Sequence, residues 1–210
     1  MIAAIVLLSG GIDSAAALAL ASETRRCFAL TVDYGQRNYE TESRCAEKIA
    51  DLYYAKLHRA IVHNPVIAAA SPVLAGPPSD NTYVPARNLV LLSLALAFAE
   101  IVGAVEIWIG ANADDSGYYP DCRRAFFDAF EGVAAHGTKT EGVRVVSPWA
   151  EVPKGRVIRE ALRLGVPLAR TTTCLMGRVA GEECGVCRAC VLRRAAMTAE
   201  GIADPTRYRK

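Results

Sequence analysis

The sequence predicts an α/β domain on a mostly parallel sheet of five strands, followed by a small cysteine-rich appendage. Three observations carry this. Short apolar runs alternate with helical patterns from Ile2 to Leu164. The first run, Ile2 to Leu8, is β-branched or leucine at most positions, as expected of a strand covered on both faces. Four of the seven cysteines, Cys174, Cys184, Cys187 and Cys190, crowd the C-terminal segment.

After the first strand, Asp13 to Ser22 is rich in alanine and leucine and predicts a helix. Cys27 to Val32 is the second strand. Tyr39 to Tyr54 sets Cys45, Ala46, Ile49, Ala50 and Tyr53 on one helical face, with Glu42, Arg44, Lys48 and Asp51 elsewhere. Leu57 to Val62 is the third strand. His63 to Thr82, with four prolines and no clear period, predicts a long surface loop of the kind that forms lids. Arg87 to Val102 predicts a buried helix and Val105 to Gly110 the fourth strand. Pro120 to Ala135 predicts a helix with proline at its start. Val143 to Val146 is the fifth strand, and Pro153 to Leu164 the next helix. Such alternation requires crossover connections and hence parallel strands. The expected boundaries are 1–170 for the sheet domain and 171–210 for the appendage.

Composition limits the function. Twenty-four Lys and Arg against 22 Asp and Glu leave a net charge of +2, which makes a broad nucleic-acid surface unexpected. At 52% hydrophobic and 22% charged residues the chain can bury a core, which excludes a disordered protein. No apolar run reaches the ~18 residues of a membrane span. Met1 to Leu8 has neither a basic segment nor a cleavage site, so a soluble cytoplasmic protein is expected. In such a reducing compartment four crowded cysteines point to metal rather than disulfides. Cys27 and Cys45 read as small core residues.

Ligands in such sheets bind at the carboxyl ends of the strands. There Ser9-Gly10-Gly11-Ile12-Asp13-Ser14 joins the first strand to the first helix. Two glycines allow close backbone approach, and the amides at the helix start form a cradle for phosphate. Asp13 can orient the loop or help hold magnesium. The hexad lacks the Gly-Lys-Ser/Thr ending of the Walker loop and resembles the pyrophosphate loop of adenine-nucleotide alpha-hydrolases. Asp33-Tyr34-Gly35-Gln36-Arg37 follows the second strand, where Val32 and Asp33 can flank an adenosine. Arg87 and Asn88 start the buried helix, where Asn88 can also serve as a plain cap. The loop from Gly110 to Arg123 gathers Asp114, Asp115, Asp121 and Arg123, with Tyr118 and Tyr119 as flat surfaces for a heterocycle. In the tail, Cys184, Cys187 and Cys190 form C-x-x-C-x-x-C with Cys174 upstream, a set that suits structural zinc or an iron–sulfur cluster. Arg188, Arg193, Arg194, Arg207, Arg209 and Lys210 read as a solvated face, or as the basic surface of a zinc-knuckle nucleic-acid module.

Taken in order, Ser9 to Ser14, Asp33 to Arg37, Val84 to Asn88, Tyr119-Pro120-Asp121-Cys122-Arg123, Lys154, and Thr173-Cys174 with Cys184, Cys187, Cys190, Leu192 and Arg193 resemble the 7-cyano-7-deazaguanine synthase (QueC) family over nearly the whole chain. The resemblance implies a five-stranded Rossmann-like sheet of the adenine-nucleotide alpha-hydrolase type and a homodimer carrying one structural zinc per chain. It implies ATP with magnesium as co-substrate, and conversion of 7-carboxy-7-deazaguanine and ammonia to the 7-cyano compound. It places ATP on Leu8, Ser9, Gly10, Gly11, Ile12, Asp13, Ser14 and Leu18, beside Val32 and Asp33. The deazaguanine falls to Gln36, Arg37, Arg87, Asn88, Asp115, Tyr119, Asp121 and Arg123, with Lys154 toward the phosphates or the carboxylate. Zinc falls to Cys174, Cys184, Cys187 and Cys190. Three departures, the doubled Tyr118-Tyr119, a shorter segment between the third strand and Val84, and Leu175-Met176 before Gly177, leave a paralogue or another amide-forming or tRNA-modifying ligase acting on a different acceptor as the alternative. Cys122 is a poor candidate nucleophile, since adenylation already activates the carbonyl and no histidine lies near it in sequence.

Overall fold

The computed structural model describes residues 1–62, Leu74, 82–178 and 181–209. Its five strands are β1 (Ala3–Leu7), β2 (Arg26–Asp33), β3 (Lys56–Ile61), β4 (Glu106–Trp108) and β5 (Arg144–Val146). They lie in the order β3-β2-β1-β4-β5, and every adjacent pair is parallel. The helices are α1 (Ile12–Ser22), α2 (Tyr39–Leu52), α3 (Arg87–Val102), α4 (Ala113–Ser116), α5 (Arg124–Gly137), α6 (Lys154–Arg163) and α7 (Arg188–Ala199).

The near-continuous apolar character of β1 follows from its central place. Ala4, Val6 and Leu8 pack on one face with Leu18, Ile49, Ile158 and Met197 of α1, α2, α6 and α7. Ile5 and Leu7 pack on the other with Leu92 and Leu96 of α3 and Phe127 and Phe130 of α5. Alternate side chains thus serve two separate cores, which only a strand with helices on both sides needs. Cys27 and Cys45 are buried among these apolar residues, as the sequence suggests.

Two expected elements differ. Pro120 opens a 3₁₀ turn, Pro120–Cys122, and not the long helix. Arg123 is extended (φ −83°, ψ 147°), and α5 starts one residue later. The cause is Asn88, whose amide donates to the Asp121 carbonyl at 2.9 Å and so holds this turn against α3. Asn88 is therefore no helix cap. The capping position of α3 belongs to Ala86, in left-handed conformation (φ 52°). The loop read from Gly110 to Arg123 also contains α4, started by an Asn112–Asp115 capping box. Most of the loop expected from His63 to Thr82 lies outside the described residues. Among the described residues no helix is long and apolar enough to cross a membrane.

At the amino end of the sheet, Glu106 accepts from Arg25 Nε at 2.9 Å and Nη2 at 3.0 Å, and from Trp108 Nε1 at 2.8 Å. Burial alone would raise the Glu106 pKa, but the Arg25 and Trp108 hydrogen bonds hold it below the ordinary carboxylate value. A depressed folded-state pKa adds stability above the unfolded value, and that stability is lost as pH falls through the folded one. The melting temperatures of wild type and Glu106→Gln should therefore differ at neutral pH and converge below about pH 4. A constant gap from pH 7 to pH 3 would contradict this role.

Candidate active site and metal centre

The turn after β1 is fixed by its own hydroxyls. Ser14 Oγ donates to Gly11 O at 3.0 Å and accepts from Ser9 N at 3.3 Å, while Gly11 N donates to Ser9 Oγ at 3.3 Å. Gly10 has φ +76°, and a Cβ there would lie 2.7 Å from both Cys45 Cβ and Glu42 O, so α2 can pack directly on the turn. The first-turn amides of α1 have no acceptor within their helix and open at this end. Asp13 closes the other side. Its Oδ2 pairs with Lys154 Nζ, its carbonyl accepts from Trp149 Nε1 at 3.1 Å, and its Oδ1 is buried with no donor.

A cleft of about 200 Å³ lies in front of this turn, where the carboxyl ends of β1, β2 and β4 meet. The strand order reverses between β1 and β4, the place where such sheets bind ligands. Of the residues anticipated from sequence, Leu8, Ser9, Gly11, Asp13, Ser14, Val32, Gln36, Arg87, Asn88 and Asp115 line it. The others do not. Gly10 and Ile12 form the back of the turn, and Leu18 is wholly buried in the core. Asp33 accepts from Gly35 N at 2.9 Å, and Lys154 stands behind Asp13. Asp121 lies one layer out, accepting from Asn88 N at 2.8 Å. Tyr119 stacks on Tyr83 with centroids 6.4 Å apart, and its hydroxyl bonds Thr82. Arg37 and Arg123 are exposed, the latter donating to Ser116 O at 3.1 Å.

Tyr34 and Glu42 are lining residues that sequence reasoning did not select. Gln36 assembles them: its Nε2 donates to Val32 O at 2.9 Å and to Glu42 Oε2 at 3.0 Å, while its Oε1 accepts from Tyr34 N at 2.9 Å. Burial raises the pKa of Glu42 despite hydrogen bonds from Gln36 and Asn38. Burial, then the charge of Asp13, raises that of Asp115. Burial works against the Arg87 cation, yet Tyr34, Cys122 and Asp121 hold its pKa above the ordinary value. Cys122 lines the cleft with its thiol pushed up to about 12 by burial and the neighbouring Asp115, so it is a neutral thiol at physiological pH. The cleft thus offers an anion cradle, one fixed cation, and carboxyl groups poised to take a proton or a hydrogen bond from a polar heterocycle.

The four tail cysteines meet as the spacing suggests. Their Sγ atoms all lie within 4.8 Å of one another, and those of Cys184 and Cys190 are 3.9 Å apart. A tetrahedral Zn–S bond of ~2.3 Å implies sulfurs about 3.8 Å apart, so the set fits a metal of this kind. Cys187 N donates to Cys184 Sγ at 3.3 Å and Cys184 N to Cys174 Sγ at 3.4 Å, contacts that favour thiolates. Of the basic residues nearby, Arg194, Arg207 and Arg209 are exposed, as a solvated face requires. Arg193 is completely buried, Arg188 lies over the Tyr118 ring at 4.0 Å, and Arg194 lies over Tyr208 at 5.3 Å.

The fold is shared with an NMN synthetase from Francisella tularensis, at a TM-score of 0.54 and 17% identity over 96% of this chain and 78% of that one. It is also shared with the tRNA thiolase NcsA from Methanococcus maripaludis, at 0.56 and 17% over 94% and 65%. Sequence relatives are far nearer. Proteins named 7-cyano-7-deazaguanine synthase from Thiobacillus denitrificans and Aromatoleum aromaticum are 45% and 43% identical, each covering 98% of this chain and 97% of the relative. The family model for queuosine biosynthesis protein QueC matches residues 3–201. With the Ser9–Ser14 turn, the cleft and the four-cysteine cluster all inside that match, the chain belongs to the QueC family.

Proposed function

We propose that the chain converts 7-carboxy-7-deazaguanine and ammonia to 7-cyano-7-deazaguanine, consuming ATP in two successive activations. The observation that carries this is the convergence of the Ser9–Ser14 turn, Arg87 and the raised-pKa carboxyl groups Glu42 and Asp115 on one cleft, in a chain whose full-length relatives bear that name. A carboxylate resists ammonia because it is anionic and has no good leaving group. Attack of its oxygen on the α-phosphorus of ATP gives an acyl adenylate and pyrophosphate, whose charge the turn amides take up. Ammonia then displaces AMP to give the amide. The amide oxygen attacks a second ATP, and loss of the N–H protons with AMP as leaving group leaves the nitrile. One cleft serves both rounds by proximity.

In this reading ATP lies on Leu8 to Ser14 beside Val32 and Asp33. Gln36, Arg87, Asn88 and Asp115 meet the heterocycle, while Tyr119, Asp121, Arg123 and Arg37 shape the wall from behind or at its rim. Asp13 Oδ1, buried and without a donor, fits a magnesium ligand. Magnesium held there with ATP would supply positive charge toward the pyrophosphate. The four cysteines form a closed set that suits one structural zinc. Residues 1–170 are then the ATP-binding unit and 171–210 the metal-binding unit of a cytoplasmic homodimer. The test is incubation with ATP, ammonium and the acid, followed by mass spectrometry. Nitrile, AMP and pyrophosphate should accumulate, and 7-amido-7-deazaguanine with fresh ATP and no ammonia should also yield nitrile. An amide inert to ATP, with the acid stopping there, would refute nitrile synthesis.

A further inference from the structure

The metal centre and the phosphate turn are joined by one short strap, residues 171–174. Thr172 N donates to Gly10 O at 2.9 Å, and Asn38 Nδ2 donates to Cys174 O at 3.2 Å. Gly11 also sits against the strap, since a Cβ there would lie 3.5 Å from Thr172 O. What holds the strap in place is a wholly buried carboxylate, Glu183, next to the ligand Cys184. Its Oε1 accepts from Thr172 Oγ1 at 2.9 Å and from Thr173 N at 3.2 Å, and Arg178 Nε lies 3.4 Å away. Its Oε2 lies 3.8 Å from Cys190 Sγ. The Glu183 backbone is pinned in turn, with its N donating to Arg207 O at 2.9 Å and its O accepting from Arg209 N at 2.8 Å.

We infer that Glu183 is a positioning residue for ATP, acting through Thr172 on the Gly10 carbonyl of the phosphate turn. A turn that binds phosphate by its amides depends on peptide-plane orientation, because each N–H direction is set by the carbonyl of the preceding residue. Gly10 O and Gly11 N belong to one such plane. Fixing the carbonyl therefore aims the Gly11 amide, which donates weakly to Ser9 Oγ at 3.3 Å at the edge of the cleft. Glutamate suits this task because one oxygen can accept from the strap while the second remains beside the metal centre. Its burial means that Thr172 Oγ1 and Thr173 N lose their side-chain acceptor inside the protein when it is removed.

The inference rests on the proposed ATP site, and the test separates the two. Binding of a non-hydrolysable ATP analogue is measured by calorimetry on the metal-replete full chain, with melting temperature and metal content recorded in parallel. Glu183→Ala should bind the analogue about tenfold more weakly, the loss of one charge-assisted contact. Glu183→Gln keeps an acceptor for Thr172 and Thr173 N and should bind within about twofold of wild type. A purely structural residue would lower the melting temperature of Glu183→Ala and leave the affinity of the folded protein unchanged, which would overturn the inference. If Glu183→Ala does not fold, the near-isosteric Thr172→Val carries the same test, with about threefold weaker binding expected and unchanged binding overturning it. A wild-type chain that binds no analogue would instead refute the ATP site itself.

Discussion

Replacing Cys187 with serine should give a chain that holds no metal and melts at least about 10 °C below wild type. Structural Zn²⁺ in comparable four-ligand sites contributes on the order of 10 kcal/mol at neutral pH, as much as the whole margin of an ordinary domain. The loss falls where nothing else compensates. Among the described residues the segment after Thr171 has little core of its own, with Cys174, Cys190, Met197 and the polar Glu183 and Arg193 as its fully buried side chains. Arg193 donates to Thr171 Oγ1 at 3.0 Å and Leu168 O at 3.1 Å, and these bonds depend on α7 staying where Cys187 and Cys190 start it. Metal analysis and calorimetry check the result, and a chelator acting on wild type should reproduce it. A metal-free Cys187→Ser that melts with wild type would show the centre to be dispensable. A coloured chromophore in anaerobic wild type would show iron–sulfur in place of zinc.

Substituting Gly110 by alanine should lower turnover by about a hundredfold or more while leaving metal content intact. The added methyl would lie 2.6 Å from Ser14 N, 2.7 Å from Asp13 C and 2.8 Å from Asp13 O. Real side chains do not sit that close to backbone, so the end of β4 must move away from the start of α1. The displaced atoms belong to the helix terminus that faces the cleft, and an ångström of misplacement there suffices for a loss of this size. Steady-state kinetics beside a melting curve check it, and a well-folded Gly110→Ala with wild-type turnover would remove the β4–α1 contact from the site.

The glycine turn after β1 and the meeting of the tail cysteines were legible because both are local: a few neighbouring residues carry the geometry. The strands were legible for a related reason, since Ile2 to Leu8 alternates between two cores and so stays apolar throughout. Glu42 was not. It belongs to the polar side of α2, and periodicity assigns such a residue to solvent. Gln36 and Asn38, arriving from the preceding loop, turn it into the cleft instead. Arg193 misled in the same way, because a charged residue on a short helix reads as exposed until Thr171, Leu168 and Asp204 surround it. Gly110 was legible only as a loop residue, for its constraint comes from a helix almost a hundred positions earlier in the chain. Pro120 gave the right neighbourhood and the wrong element, because a contact with Asn88 overrode the local preference for a helix start.

The bond from Thr172 to Gly10 also sets an order of events during translation. The turn that holds Gly10 is synthesised 162 positions before its partner. At roughly 5–20 residues per second, that interval is on the order of ten to thirty seconds. Throughout it the turn can form, but the strap that holds its carbonyl does not yet exist, and neither does the full set of cysteines. The turn therefore gains this anchor only after all five strands have been made, and a chain interrupted before Thr172 would hold the whole sheet with the Gly10 carbonyl untethered.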